Sequence, residues 1–220
     1  MPITGLPREL DAPAAFFDFV RNSRDLFKGK LTQSQVDGIT TIIRAAGEAR
    51  WPTAYTAAAL ATGFLETNET MQPVREAYWL SDAKRLEYLT NMYDPKGQRP
   101  NKAKELGNTQ PGDGAKYGGA GYPQVTGKKN YATASTKTGI DFVKFPEKML
   151  EEGPAVAVMI SGMGEGWFTG KALDDYFPGE LGTREQFYAS RAIINGHDRA
   201  DDLARYALAF QTALTAGGWA

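Results

Sequence analysis

Two glutamates, Glu66 and Glu76, are the side chains best suited by type and position to acid–base chemistry. Glu66 follows the apolar run AAALATGFL, and a carboxyl group beside an apolar surface is partly desolvated. Desolvation favours the protonated form, which is the form that a general acid needs. The competing interpretation is a solvated glutamate at the end of a helix.

The second carboxylate comes after a forced change of direction. Pro73 forbids a simple continuation of the helix that carries Glu66, so the chain must turn before it reaches Glu76. Glu76 could then face Glu66 across a groove, and two carboxylates on opposite walls are what glycoside hydrolysis uses. A surface salt bridge from Glu76 to Arg75 or Arg85 is the alternative.

A glycine-rich stretch at 117–131, YGGAGYPQVTGKKNY, raises the question of phosphate binding. Its spacing from Gly121 to Gly127 is one residue too long for a Walker A loop, and Lys129 stands where that loop needs Ser or Thr. The dinucleotide pattern fails as well, because Gln124 occupies the place of its last glycine. We therefore predict no nucleotide cofactor.

The polar side chains of the same stretch suit a sugar chain better. Amides and hydroxyls can bind the hydroxyl and acetamido groups of a glycan, and aromatic rings can stack on sugar faces. If residues 122–126 are extended, alternate side chains project from one side. A turn with a polar face is the other interpretation. The candidate residues are Tyr122, Gln124, Thr126, Asn130 and Tyr131.

Composition excludes several classes of function. The net charge of −1, from 25 basic and 26 acidic residues, predicts no broad surface for nucleic acid. Without cysteine there is no disulfide, thiolate nucleophile or Cys-ligated zinc, and a multi-His metal site or serine–histidine triad would depend on His197 alone. We predict no metal and no other cofactor.

The sequence also shows no pattern typical of a targeting signal. The N-terminal stretch lacks a basic segment followed by an apolar run, and no apolar stretch reaches the roughly 18 residues that span a bilayer. We expect a monomer that is made in the cytoplasm without a signal peptide and does not insert into membranes.

The apolar spacing predicts mostly helices that position these residues. Thr32 is predicted as a helix N-cap with Gly47 just past that helix, and Pro52 fits the first turn of the helix that leads to Glu66. Residues 93–128 have no clear period and are predicted as a long irregular loop. Further helices are predicted near 81–92, 129–137, 142–164, 184–194 and 199–216, with short strands near 73–79 and 122–126. We predict a single domain over 1–220.

Several segments, taken in order, carry a family resemblance that covers most of the chain. They are FFDFVRNSRDLFKGKLTQSQVDGI, LATGFLETNETMQPVREAYW, ELGNTQPGDGAKYGGAGYPQVTGKKNY, GEGWFTGKALDDYF and IINGHDRADDLARY. Together they resemble the lysozyme-like endolysins of glycoside hydrolase family 19, which are related to plant-type chitinases. The resemblance implies a mainly α, lysozyme-like, two-lobed helical domain with a glycan-binding groove and at most a small β element.

The resemblance also implies roles for individual residues. Glu66 matches the general acid and Glu76 the base, with carboxylates about 6.5–9.5 Å apart for an inverting reaction. The segment 119–131 matches a Gly-Arg-Gly-x-x-Gln-x-Thr/Ser-x-x-x-Asn-Tyr pattern, in which Thr126 helps to position the attacking water. The remaining residues would bind substrate or support the groove: Tyr122, Gln124, Asn130, Tyr131 and Asn195.

Three positions differ from the commoner family pattern. Leu65 stands in place of the histidine before the acid, and Ala120 in place of the arginine of Gly-Arg-Gly. His197 stands where the family often has a small or polar residue, and we interpret it as structural or rim-lining.

The expected function is cleavage of the MurNAc–GlcNAc bond of peptidoglycan by a bacteriophage-type endolysin without a separate wall-binding domain. The protein would leave the host cytoplasm through a holin-type partner, or act as a virion component, to reach the periplasm. Two alternatives remain open: a non-catalytic or weakly active glycan-binding module of the virion, suggested by Leu65 and Ala120, and a chitinase acting on GlcNAc polymers.

Overall fold

The computed structural model describes residues 6–220 and is mainly helical, as predicted. The elements in chain order are α1 (Pro13–Asn22), α2 (Gln33–Glu48), α3 (Thr53–Glu66), β1 (Val74–Arg75), α4 (Asp82–Tyr93), α5 (Pro100–Glu105), α6 (Asp113–Lys116), β2 (Ala120–Gly121), α7 (Lys128–Thr138), a 3-10 helix (Pro146–Leu150), α8 (Glu152–Glu165), a second 3-10 helix (Leu173–Asp175), α9 (Arg184–Ser190), α10 (Ala192–Asn195) and α11 (Ala200–Ala216). The described chain forms two compact units, one of residues 6–71 with 162–220 and one of residues 72–161. The single-domain assignment stays a prediction.

The first unit is built around α3, which packs against α2 and α11. Every residue of α3 from Thr53 to Leu65 except Tyr55 is buried, and its alanines let the neighbouring helices come close. Near its end, the Phe64 ring lies 5.0 Å from that of Phe27 and 4.7 Å from that of Tyr206, both edge-on. This packing fixes the last turn of α3, and with it the backbone of Glu66.

The predicted N-cap of α2 is confirmed, whereas its predicted end is not. Thr32 accepts a hydrogen bond from the Gln35 backbone N–H at 3.2 Å and forms a reciprocal capping box with Gln35. Gly47 lies inside α2 rather than past it. A Cβ at Gly47 would come within 2.1 Å of the Arg8 carbonyl oxygen, so glycine is needed there for close packing.

The second unit contains a two-stranded antiparallel sheet, in which Val74 pairs with Gly121 and Arg75 with Ala120. Both strands are shorter than predicted, and β2 lies before the predicted range. Residues 122–126 are not extended: Ala120 and Val125 pair across a tight turn.

The predicted irregular loop at 93–128 contains two short helices, α5 and α6. Asn108 holds its two ends together: the side-chain amide donates to the Tyr93 carbonyl and accepts from the Lys128 backbone N–H, both at 2.9 Å. Asp113 accepts from the backbone N–H groups of Thr109 and Gln110, both at 3.0 Å. Burial raises the pKa of Asp113, but these N–H groups and Lys128 outweigh it and lower the pKa overall.

The helix predicted at 142–164 begins later than expected. Pro146 starts a 3-10 helix, and α8 follows only from Glu152, because proline lacks the N–H that would continue a preceding helix. No helix in residues 6–220 combines the length and the apolar character needed to cross a bilayer.

Candidate active site

Glu66 ends α3, and its side chain is 16% exposed. Its Oε1 is paired with Nη1 of Arg191, whose side chain is only 3% exposed. The Nε of Arg191 donates to the Asp198 carbonyl oxygen at 2.8 Å. The guanidinium is thus fixed from two directions, and it fixes the Glu66 carboxylate in turn.

Arg191 was not among the residues predicted from the sequence. A buried guanidinium is costly unless a charge partner and further hydrogen-bond acceptors surround it. Glu66 and the Asp198 carbonyl supply these, so Arg191 is part of the site and not a surface cation. The only sequence signal is an arginine next to the apolar residues of AII, which is too common a pattern to assign a partner 125 positions away.

Asn195 ends α10, one turn after Arg191, and its backbone N–H donates to the Arg191 carbonyl at 3.0 Å. Its side chain is exposed, as a substrate contact requires, and its role stays a prediction. His197 is also exposed, and its ring stacks on that of Tyr188 with the ring centres 5.8 Å apart.

Glu76 follows β1 directly and is bound to the glycine-rich segment through both backbone and side chain. Its backbone N–H donates to the Gly119 carbonyl at 2.7 Å, and the Gly119 N–H donates to Oε2 at 3.1 Å. The Tyr93 hydroxyl donates to Oε1 at 2.8 Å. Within the described part of the chain Glu76 makes no salt bridge, and Arg85 pairs with Asp82 instead at 2.7 Å. The surface salt-bridge interpretation of Glu76 is therefore wrong.

Two tyrosines of α4 respond to the charge on Glu76. Burial raises the pKa of Tyr93 well above its usual value, and the negative charge and hydrogen bond of Glu76 raise it further. Burial and the negative charge of Glu76 also raise the pKa of Tyr88, although Arg99 opposes that shift. Tyr93 is protonated at neutral pH and so can donate to Glu76. It was missed from the sequence because no local spacing links it to Glu76.

Gly119 is the point where the backbone comes closest to Glu76. A Cβ at this position would lie 2.9 Å from Glu76 Oε2 and 3.2 Å from Gln124 Oε1. The structure shows that Gly119 lets the backbone approach the Glu76 carboxylate.

Tyr122 does not fit its predicted place. Its side chain is fully buried, burial raises its pKa, and its hydroxyl has no hydrogen-bond partner among residues 6–220. The prediction that it projects beside Gln124 and Thr126 to contact a sugar is corrected. It assumed an extended strand, whereas the turn between Ala120 and Val125 directs the ring into the core.

Gln124, Thr126 and Asn130 form a connected set in the second unit. Gln124 has a φ of 52°, and its amide donates to the Val74 and Gly121 carbonyls, both at 2.9 Å. Thr126 donates to the Gln124 carbonyl at 3.2 Å, and the Asn130 amide donates to the Thr126 carbonyl at 2.8 Å. Gln124 and Thr126 are partly exposed and Asn130 is exposed, so each retains polar atoms for a ligand.

Tyr131 is buried and donates its hydroxyl to the Gly118 carbonyl at 3.0 Å. Burial raises its pKa above the usual value, Arg75 opposes that shift, and Glu76 adds to it. A buried ring bonded to Gly118 supports the loop. This agrees with the supporting role that the resemblance implies and does not suit a direct sugar contact.

Comparison with known proteins identifies the fold. No protein-family model matches the chain, and no curated protein matches its sequence significantly. Among solved structures, a glutamate-to-glutamine mutant of chitinase C matches at a TM-score of 0.50 and 17% identity, over 94% of this chain and 92% of that chain. Chitinase C from Streptomyces griseus HUT6037 matches at a TM-score of 0.50 and 16% identity, over 95% and 93%. The chain therefore has a chitinase-like fold, which supports the fold implied by the family 19 resemblance.

Proposed function

We propose that the protein is a glycoside hydrolase that cleaves the MurNAc–GlcNAc β-1,4 bond of bacterial peptidoglycan. The observation that carries this proposal is the direct attachment of Glu76 to the glycine-rich segment by two hydrogen bonds with Gly119. A carboxylate predicted to be catalytic and a segment predicted to bind sugar are thus one structural unit. The chitinase-like fold supports the general class of reaction.

In the proposed reaction Glu66 takes up a proton on Oε2, since Oε1 is paired with Arg191, and delivers it to the glycosidic oxygen as the bond to the anomeric carbon breaks. Glu76 takes a proton from a water that attacks the opposite face of the sugar, which inverts the configuration. Thr126 helps to position that water. An ionised carboxylate has about four lone-pair sites, and Tyr93 and Gly119 occupy two of the sites on Glu76, so acceptor positions remain for the water.

The test is the release of reducing ends from purified peptidoglycan by the wild-type protein, Glu66→Gln, Glu76→Gln and the control Glu87→Gln. Glu87 is an exposed glutamate of α4 outside the site. We expect each active-site variant to lose roughly 10²–10⁴-fold in rate, as for loss of a general acid or base, while the control keeps full activity. Wild-type activity in Glu66→Gln or Glu76→Gln would contradict the proposed roles.

The bond cleaved is identified by mass spectrometry of the products. A muramidase leaves MurNAc at the new reducing end, and a glucosaminidase leaves GlcNAc. Exclusive GlcNAc ends would overturn the assignment of the bond while leaving the hydrolase class intact.

Chitin hydrolysis is the second candidate, favoured by the similarity of the fold to chitinase C. Parallel assays on chitin oligosaccharides and peptidoglycan separate the two. Cell-wall binding without any new reducing ends would instead favour a non-catalytic module, as the departures at Leu65 and Ala120 suggested.

The proposed substrate lies outside the cytoplasmic membrane. We accordingly propose that the protein, made in the host cytoplasm, reaches the wall through a holin-type partner or as part of a virion. Expression with and without a co-expressed holin tests the first route, since only the combination should lyse cells.

A further inference from the structure

A small basic cavity lies in the second unit, beside the segment that holds Glu76. It has a volume of about 160 Å³, and its wall includes Gly119, whose N–H binds the Glu76 carboxylate. Three cationic side chains line it: Arg75, Arg85 and Lys116. We call this cavity the basic pocket.

The cations of the basic pocket are only partly neutralised from within. Arg85 pairs with Asp82, the one acidic residue of the lining, at 2.7 Å. In the part of the chain that the structure describes, Arg75 and Lys116 make no ion pair, and the Lys116 ammonium lies over the Tyr117 ring at 5.1 Å from its centre. Two positive charges therefore remain on a protein whose net charge is −1.

The shape and composition of the basic pocket favour a small anion on a larger molecule. Leu86, Leu89 and Tyr131 supply apolar wall beside the charges, while Arg75 and Lys116 are themselves exposed and open to a ligand. An arginine fork and an ammonium suit a carboxylate, since the guanidinium can bind both of its oxygens. Chitin has no carboxylate, whereas the peptide stems of peptidoglycan carry several.

We propose that the basic pocket binds a carboxylate of a peptidoglycan peptide stem and so makes the site prefer wall glycan over neutral GlcNAc polymers. This inference rests on the proposed function and names the part of its substrate that is recognised. Gly119 both lines the basic pocket and donates its N–H to Glu76 Oε2, so a stem held by Arg75 and Lys116 is held against the segment that binds the proposed base.

The test is co-sedimentation of the full chain, carrying Glu66→Gln to suppress turnover, with purified peptidoglycan sacculi. One half of the sacculi is left intact, and the carboxylates of the other half are converted to amides. Three proteins are measured on both preparations. They are the parent, the pocket double variant Arg75→Gln/Lys116→Gln, and the control Lys104→Gln. Lys104 is an exposed lysine of α5 that does not line the pocket.

We expect the parent and the control to bind intact sacculi about tenfold more tightly than amidated sacculi, the effect of roughly two charge-assisted contacts. The pocket double variant should bind both preparations equally and weakly. Thermal melting monitored by circular dichroism verifies that each variant is folded. Equal loss of binding on amidation in the parent and the double variant would overturn the proposal, as would an equal effect of Lys104→Gln.

The two hypotheses fail in different ways. Suppose that binding depends on carboxylates and on Arg75 and Lys116, but the wild-type protein releases no reducing ends. That result would support the basic-pocket proposal and rule out the hydrolase proposal. If the wild-type protein releases reducing ends at equal rates from intact and amidated sacculi, the hydrolase proposal is supported and the basic-pocket proposal is ruled out.

Discussion

The two glutamates proposed to be catalytic are held by opposite kinds of chemistry. In the first unit, Glu66 ends a long buried helix and pairs with the buried cation Arg191. In the second unit, Glu76 follows a two-residue strand and is held by neutral donors, the Tyr93 hydroxyl and the Gly119 N–H. The position of the Glu66 carboxylate therefore depends on a neighbouring charge, whereas that of the Glu76 carboxylate depends on how closely the backbone fits around it.

Arg191→Met should have the largest effect, because it removes the charge that neutralises Glu66. Breaking a buried ion pair from one side typically costs 3–5 kcal/mol, and since Glu66 is partly exposed we expect about 3 kcal/mol. The measurement is urea unfolding at pH 7. The control is Arg184→Met, which breaks an exposed pair with Asp201 and should cost less than about 1 kcal/mol. Equal costs for the two variants would show that the Glu66 pair is not distinctive.

Gly119→Ala should come next, because its Cβ would lie 2.9 Å from Glu76 Oε2. Overpacking of this kind costs about 1–3 kcal/mol, and the displaced carboxylate should also lower the hydrolytic rate. Gly153→Ala in α8 is the matched control, since a Cβ there meets nothing within 4 Å. If Gly119→Ala keeps wild-type stability and rate, then the close backbone approach is not what holds Glu76.

Tyr93→Phe tests the neutral side of the comparison with a smaller change. Loss of one hydrogen bond to a charged acceptor should cost about 1.5–3 kcal/mol at most, and less where water replaces the hydroxyl. We expect the acidic limb of the pH–rate profile to change. That limb reports the ionisation of the proposed base, whose hydrogen-bond partner has been removed. Tyr188→Phe, which lies outside the Glu76 site, should leave the profile unchanged.

The smallest effect concerns Glu180, a second ion pair of the first unit. Burial alone would raise its pKa, but Arg8 and Thr53 lower it to about 2. Because the folded-state pKa lies below the unfolded value, the stabilisation is present above the unfolded pKa and is lost as the pH falls towards about 2. Glu180→Gln should therefore flatten the decline of stability between pH 5 and pH 3, measured by urea unfolding. An unchanged slope would show that Arg8 does not perturb Glu180.

The sequence predicted the helical class, the N-cap at Thr32 and the position of Glu66 at a helix end, because these features follow from local periodicity and capping. It did not predict Arg191 or Tyr93, since their contacts join residues far apart in the chain. Tyr122 shows the complementary error. A period of two was read as a strand, whereas the positive φ of Gln124 turns the chain and buries the ring.

Asn108 has a further consequence for how the second unit tolerates change in length. By bonding to both Tyr93 and Lys128, it divides the long connection into two loops, and the Gly112 N–H joins the second loop to Asp94 at the start of the first at 2.9 Å. Doubling the length of a flexible loop costs only about 0.6 kcal/mol in closure entropy, so the first loop can accept an insertion cheaply. The second loop, which contains Gly119, would keep its register with Glu76. The connection is therefore modular: its first half is open to grafted sequence, whereas its second half is committed to the site.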